Sequence, residues 1–274
     1  MADTIIATEV SGSVMTITLN RPDKLNAFNS VMLRELAEAY TELTRNKALR
    51  AGVLTANGRY FTSGLDLQEL APKLVNEVVA TALKPLPFEL VKGFVPKGGV
   101  DPWGITTAPC PKPIVTAVEG RCFTLGIELL LSASINVAST TASFSQYEVS
   151  RGLLPFGGGT VRWPLAVGTH NANRWTLTGE DFDAAEAHRI GLVQELTAPG
   201  EAAAKAHEIA ETIARQAPLG VAAVLRNGRL AQDKGAAKAL SKVRLEFARI
   251  LLSKDVRRGF QAFRNREQAD FRGN

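Results

Sequence analysis

Long apolar runs, cysteine and histidine are all scarce in this chain of 274 residues. No stretch approaches the ~18 consecutive apolar residues that a membrane-crossing helix needs. The opening Met-Ala-Asp-Thr-Ile-Ile has no basic segment ahead of an apolar one, and it lacks the arginine-rich, acid-poor character of a transit peptide. The expected location is therefore cytoplasmic. Cys110 and Cys122 are too few for a disulfide framework and read as buried thiols in a reducing compartment. His170, His188 and His207 are far apart and show no metal-ligand spacing, so no metal site is expected. The glycines at 157–159 are not followed by the lysine and Ser/Thr of a P-loop, no GxGxxG follows a strand, and no Gly-x-Ser-x-Gly elbow occurs. Nucleotide-phosphate cradles and Ser–His hydrolases are thereby disfavoured.

What remains is the composition of an ordinary globular protein, 45% hydrophobic and 22% charged. Its net charge of +5 is unevenly placed. From Lys242 to Asn274 nine Lys/Arg face four acids, which accounts for the whole excess and leaves the first 241 residues balanced. Such a tail suits nucleic acid or a phosphorylated ligand, and equally a solvated helical face, which is the simpler reading.

Thr4–Val10 and Val14–Leu19 are β-branched stretches joined by Ser-Gly-Ser, the pattern of a hairpin. Helical spacing runs from Ser30 to Thr44, and a short strand from Ala51 to Thr55. Eight prolines between Leu70 and Pro113 forbid one regular element there; a helix at Val75–Leu83 and a long irregular loop are expected. Ile114–Val118, Ile135–Ala138 and Ala142–Phe144 read as strands, and Leu125–Ser132 as a buried helix. Beyond these come only helices, over about 158–166, 171–177, 184–189, 202–216, 221–231, 234–252 and 255–269. The pattern predicts an α/β core over 1–195 and an all-helical region over 196–274.

Glu128 is the only charged side chain between Cys122 and Tyr147, at the start of an apolar helix. A carboxylate in that company is costly unless it is paired or protonated. Complementing the helix dipole would also account for it. Glu148 closes the window just before Arg151-Gly-Leu-Leu-Pro-Phe-Gly-Gly-Gly-Thr. Two carboxyls flanking one apolar segment can give and take a proton, although an exposed loop glutamate would explain Glu148 equally well. Phe61-Thr-Ser-Gly-Leu-Asp and Phe123-Thr-Leu-Gly-Ile-Glu each end a strand and start a helix, where unpaired N–H groups favour an anion. Several such turns occur in any α/β protein.

In this order the segments resemble the enoyl-CoA hydratase/isomerase (crotonase) family. The resemblance runs from Leu19-Asn-Arg-Pro-Asp-Lys-Leu-Asn-Ala, through Phe61-Thr-Ser-Gly-Leu-Asp-Leu, Lys112-Pro-Ile-Val-Thr-Ala-Val-Glu-Gly and Phe144-Ser-Gln-Tyr-Glu, to Gly152-Leu-Leu-Pro-Phe-Gly-Gly-Gly-Thr and the C-terminal helices. It implies a spiral of ββα turns with a C-terminal all-helical trimerisation region, assembled as a trimer or hexamer. It implies an enoyl-CoA hydratase-like lyase that needs no cofactor, coenzyme A being part of the substrate. An enoyl-CoA isomerase or another acyl-CoA lyase is the alternative within the family, and an RNA-binding homologue is one from another class.

The resemblance also implies the site. Glu128 and Glu148, 20 residues apart as in hydratases of the family, are the expected catalytic pair, with Glu128 helping to take a proton from water and Glu148 protonating the α-carbon. The backbone N–H groups of Leu65 and Leu125 are the expected oxyanion donors. Substrate and CoA contacts are expected at Lys24, Ala27, Ser63, Gly64, Asp66, Leu67, Gln68 and Gly126, and the irregular 70–113 segment is expected to shape the acyl pocket. Three departures stand out: bulky Leu65 follows Ser-Gly, Gln68 replaces a frequent lysine, and Thr124-Leu125-Gly126 replaces a glycine-rich run.

Overall fold

The computed structural model describes residues 4–72 and 93–274. The expected helix at Val75–Leu83 lies outside the described residues. Strands β1 (Ile6–Ser11) and β2 (Val14–Leu19) pair antiparallel as the expected hairpin. They continue into β3 (Ala51–Ala56), β5 (Ile114–Val118), β7 (Ile135–Ser139) and β10 (Glu195–Thr197), all parallel, giving a six-stranded sheet. A second sheet is built from short strands that the sequence pattern mostly did not disclose: β4 (Tyr60–Thr62), β6 (Arg121–Phe123), β8 (Ser143–Ser145) and β9 (Phe182–Asp183). The chain thus spirals. Each of β3–β4, β5–β6 and β7–β8 places its first strand in the large sheet and its second in the small one.

Helices fill the turns of the spiral: α1 (Ser30–Arg45), α2 (Leu125–Ser132), α3 (Gly159–Val167), α4 (Thr169–Thr178) and α5 (Ala184–Arg189). Helices α6 (Ala202–Ala214), α7 (Pro218–Lys234), α8 (Ala236–Leu251) and α9 (Lys254–Asn265) follow. The large sheet is covered on both faces, which explains why β5 is buried at every residue instead of alternating. Ile114 and Val118 join the main core, whereas Val115 and Ala117 meet Ala202, Ala206, Ala210 and Ala214 of α6. Alanine at every fourth position gives that helix a smooth face that approaches the strands closely. Glu119 caps it, accepting from Ala202 N at 3.0 Å.

Two helix expectations need correction. A single helix over 255–269 is not formed: α9 stops at Asn265, Arg266 turns left-handed (φ 57°), and the chain folds back. Buried Asp255 secures the returning segment by accepting from Arg272 N at 2.8 Å, Gly273 N at 2.7 Å and the Arg258 guanidinium at 2.6 Å. The break between α7 and α8 falls at Gly235, whose φ of 83° suits glycine. Among the described residues, no helix is long and apolar enough to cross a membrane.

The turn from Arg21 to Phe28 is fixed by one side chain. Asn26 is fully buried at φ 51°; its Oδ1 accepts from Arg21 N at 2.7 Å, and its Nδ2 donates to Asn57 O at 2.8 Å and Tyr60 O at 2.7 Å. Replacing it would strand an N–H and two carbonyls of three different segments. Asn26→Ala is expected to lower the unfolding free energy by about 2–4 kcal/mol. Urea denaturation of the variant beside the parent measures the loss.

Candidate active site

Two strand-to-helix turns meet. At the first, Gly64 (φ 96°) leads into Leu65, which bridges Phe28: Phe28 N donates to Gly64 O at 2.8 Å and Asp66 N to Phe28 O at 2.9 Å. With both flanking groups committed to Phe28, the Leu65 N–H is turned to the other side. A helix begins at residue 67. At the second turn, Thr124 N donates to Ser145 O at 2.9 Å and Leu125 opens α2. The unusual backbone lies at Thr124 (φ 51°, ψ −114°), not at Leu125. A β-branched residue there is strained, and such strain persists only where the surroundings impose it. Gly64 is the neighbour that does so. A Cβ on it would lie 1.8 Å from Thr124 Oγ1, so only glycine lets the turns touch. Neither the Leu65 nor the Leu125 N–H has an acceptor among the described residues. Both residues line one small pocket of about 30 Å³, together with Leu67, Thr124, Glu148, Arg151, Leu153 and Phe156.

Glu128 is on the first turn of α2 and fully buried. Gly159 N, at the start of α3, donates to its Oε1 at 2.7 Å, while Oε2 has no partner among the described residues. A Cβ on Gly157 would lie 2.6 Å from Oε2, and one on Gly159 2.8 Å from Oε1. The glycine run at 157–159 is therefore a cradle for a carboxyl, a role its sequence did not reveal. Burial pushes the Glu128 pKa up to about 8, and repulsion from Glu148 adds to this. The Gly159 hydrogen bond, the nearby Gly157 amide and the Arg162 charge oppose the rise without cancelling it. The Gly157 N–H favours the anion by proximity and makes no hydrogen bond to Oε2.

Glu148 is buried in a 3-10 helix at Tyr147–Arg151, not on an exposed loop. Gln146 Nε2 donates to both of its oxygens, at 3.0 and 3.1 Å, and Gln146 Oε1 is held by Trp163 Nε1 at 2.9 Å. Burial raises the Glu148 pKa; its own N–H, Gln146 and Arg151 pull the other way. Gln146 and Trp163 escaped the sequence reading because an uncharged amide and an indole carry no chemical signature until they touch a carboxylate.

The other expected contacts divide by place. Leu67 lines the pocket, and Ser63 N donates to Leu25 O at 3.0 Å. Asp66 is ion-paired with Arg21 at 2.8 Å, and Arg21 also donates to Ala27 O at 2.9 Å. Gly126 packs tightly, with its Cβ position 2.4 Å from Thr62 Cγ2. Lys24 and Gln68 are exposed beside this turn. Among the described residues no group of His, Cys, Asp or Glu has the arrangement of a metal site; His188 and His207 bond to Val193 O and the Thr16 hydroxyl.

Glu128→Gln is expected to stabilise the protein increasingly as pH rises. The unfolded carboxyl ionises near 4.5 and the folded one near 8, so the parent's stability is fully present below the lower value and falls until the upper one. The difference between variant and parent should grow from about pH 4.5 to 8, reach several kcal/mol, and then level off. Thermal unfolding across that range checks it.

Comparison with known proteins identifies the family. The family model for enoyl-CoA hydratase/isomerase matches residues 9–87 and 96–274. Enoyl-CoA hydratase EchA19 of Mycobacterium tuberculosis is 30% identical, covering 96% of this chain and 94% of its own. The 2,3-dehydroadipyl-CoA hydratase of Escherichia coli is 29% identical, covering 95% of each chain. Among solved structures, a probable enoyl-CoA hydratase/isomerase from Mycobacterium abscessus superposes with a TM-score of 0.90 at 44% identity, over 98% of this chain and 99% of that one. An enoyl-CoA hydratase from M. tuberculosis gives a TM-score of 0.85 at 31% identity, over 99% and 100%. On its sequence and its architecture alike, the chain belongs to the enoyl-CoA hydratase/isomerase family.

Proposed function

We propose that this enzyme of hydratase type adds water across the double bond of a trans-2-enoyl-CoA. The observation that carries the reading is one pocket that sets two backbone donors without acceptors, Leu65 and Leu125, beside buried Glu148, with buried Glu128 near enough to Glu148 to feel its charge. The thioester oxygen accepts from both N–H groups, and its charge grows as water attacks the β-carbon and an enolate forms. Each donor is typically worth ~10²–10³ in rate. Between them Glu128 and Glu148 hold one proton. Glu148 gives a proton to the α-carbon, Glu128 takes one from the attacking water, and the pair ends with the proton count it began with. The raised pKa of Glu128, about 8, favours its holding the proton it takes from water. Exchange with solvent then returns a proton to Glu148 and removes the one on Glu128 before the next hydration. The chemistry needs no cofactor beyond the coenzyme A of the substrate.

Contact with the CoA moiety along Lys24, Ala27, Ser63, Gly64, Asp66, Leu67 and Gln68, and at Gly126, belongs to the same proposal, as does a cytoplasmic location. The basic C-terminal region gives less support to nucleic-acid binding than its composition suggests. Arg258, Arg272 and Arg249 are ion-paired with Asp255, Asp270 and Glu246. Glu128→Gln and Glu148→Gln are each expected to lower hydration by at least ~10²-fold with the fold intact. The assay follows loss of the conjugated thioester absorbance of crotonyl-CoA. Near-parental turnover by either folded variant would reject the mechanism, and a shifted double bond in the product would point to an isomerase.

Self-association to a trimer or hexamer is part of the proposal. Leu240, Phe247, Leu252, Phe260 and Phe263, on and beside α8 and α9, are exposed, the last at 83%. So much apolar surface in one region marks a contact surface. Light scattering at micromolar concentration is expected to give a mass at least three times that of the 29.4 kDa chain. A stable monomer would refute it.

A further inference from the structure

Residues 101–107 form a loop that touches the first turn of α2. Asp101, fully buried, organises it: Oδ1 accepts from Trp103 N at 2.9 Å, and Oδ2 accepts from Ile105 N and Thr106 N at 2.9 Å and from the Thr106 hydroxyl at 3.0 Å. A carboxylate bonded to three amides of one turn fixes that turn's shape. The loop is gripped from the other side by Arg162 of α3, whose guanidinium donates to Trp103 O and, at 3.0 Å, to Gly104 O. Trp103 is held between them, 3% exposed.

The two ends of its indole reach the supports of both backbone donors. Nε1–H donates to Leu125 O at 3.0 Å, anchoring a residue that lines the pocket and whose own N–H has no acceptor among the described residues. The ring meets Phe28 edge-on, with centroids 5.3 Å apart and planes at 84°. Phe28 is the residue whose backbone holds Gly64 O and Asp66 N on either side of Leu65. One rigid side chain therefore spans the two turns that must keep their N–H groups convergent. Because an oxyanion hole acts through preorganised geometry, a slight misplacement is costly in rate and nearly invisible in ground-state binding.

We propose that Trp103, clamped by Asp101 and Arg162, is a positioning residue that sets the separation of the Leu65 and Leu125 oxyanion donors; this rests on the hydratase reading of the pocket. It touches no reacting atom. Its effect should therefore appear in kcat and in thioester polarisation, with KM nearly unchanged.

The test is Trp103→Phe, which keeps a buried ring and loses the N–H. The parent and the variant are compared in crotonyl-CoA hydration and in the enolate absorbance of bound acetoacetyl-CoA. The variant should lose about tenfold in kcat, a fraction of what removing a donor outright costs. KM should change less than twofold, and the enolate signal should weaken while free CoA binds as before. Phe28→Leu, which removes the edge contact and leaves the indole N–H, should move the same readouts in the same direction and serves if Trp103→Phe does not fold. A folded Trp103→Phe protein with kcat and enolate signal within twofold of the parent overturns the proposal. A parent that forms the enolate yet hydrates no enoyl-CoA sinks the hydratase reading alone, since the enolate signal still reads the positioning. A parent that neither hydrates crotonyl-CoA nor forms the enolate removes both.

Discussion

The site depends on burying the carboxyl of Glu128 inside an apolar helix and still leaving it able to exchange a proton. Full burial without an ion pair would cost several kcal/mol if the group stayed charged. The protein meets that constraint with backbone instead of a counter-ion in contact. The Gly159 N–H at the start of α3 supplies one short hydrogen bond, and glycines at 157 and 159 let the chain close onto both oxygens. What remains of the cost appears as a raised pKa. A neutral helix end stabilises the anion only in part, so the carboxyl keeps its proton to a higher pH than an exposed glutamate would. A salt-bridged carboxylate would be stable and inert.

The second carboxyl is held by different means. Glu148 has both oxygens within reach of one donor, Gln146 Nε2, and that amide is fixed by the Trp163 indole. Donors that favour the anion pull its pKa down, although burial still leaves it raised. The two residues thus share one low-dielectric space and differ in hydrogen bonding, which separates their proton affinities. The spiral makes this possible. Successive passes through the two sheets deliver Leu65 after β4, Leu125 after β6 and Glu148 after β8, so residues more than eighty positions apart converge at the C-terminal ends of the small sheet's parallel strands.

The pocket beside the two turns is bounded by Leu65, Leu67, Leu125, Leu153 and Phe156, bulky side chains around a small space.

The sequence by itself determined the alternation of strands and helices, the hairpin, the buried strand Ile114–Val118 and the apolar helix carrying Glu128, because those signals are local: side-chain period, β-branching and the positions of proline and glycine. Its motifs, read as a resemblance, also named both glutamates and both backbone donors. Other features were decided only by tertiary structure. The short strands of the small sheet gain their pairing from partners distant in the chain, and three residues carry no period to read. The end of α9 at Asn265 is set by the returning segment bound to Asp255, a contact seventeen residues away. The glycine cradle, the Gln146–Trp163 support and the Asp101–Trp103–Arg162 clamp act through hydrogen bonds between side chains and distant backbone. Such bonds have direction and length but no sequence spacing, so folding alone brings their partners within reach.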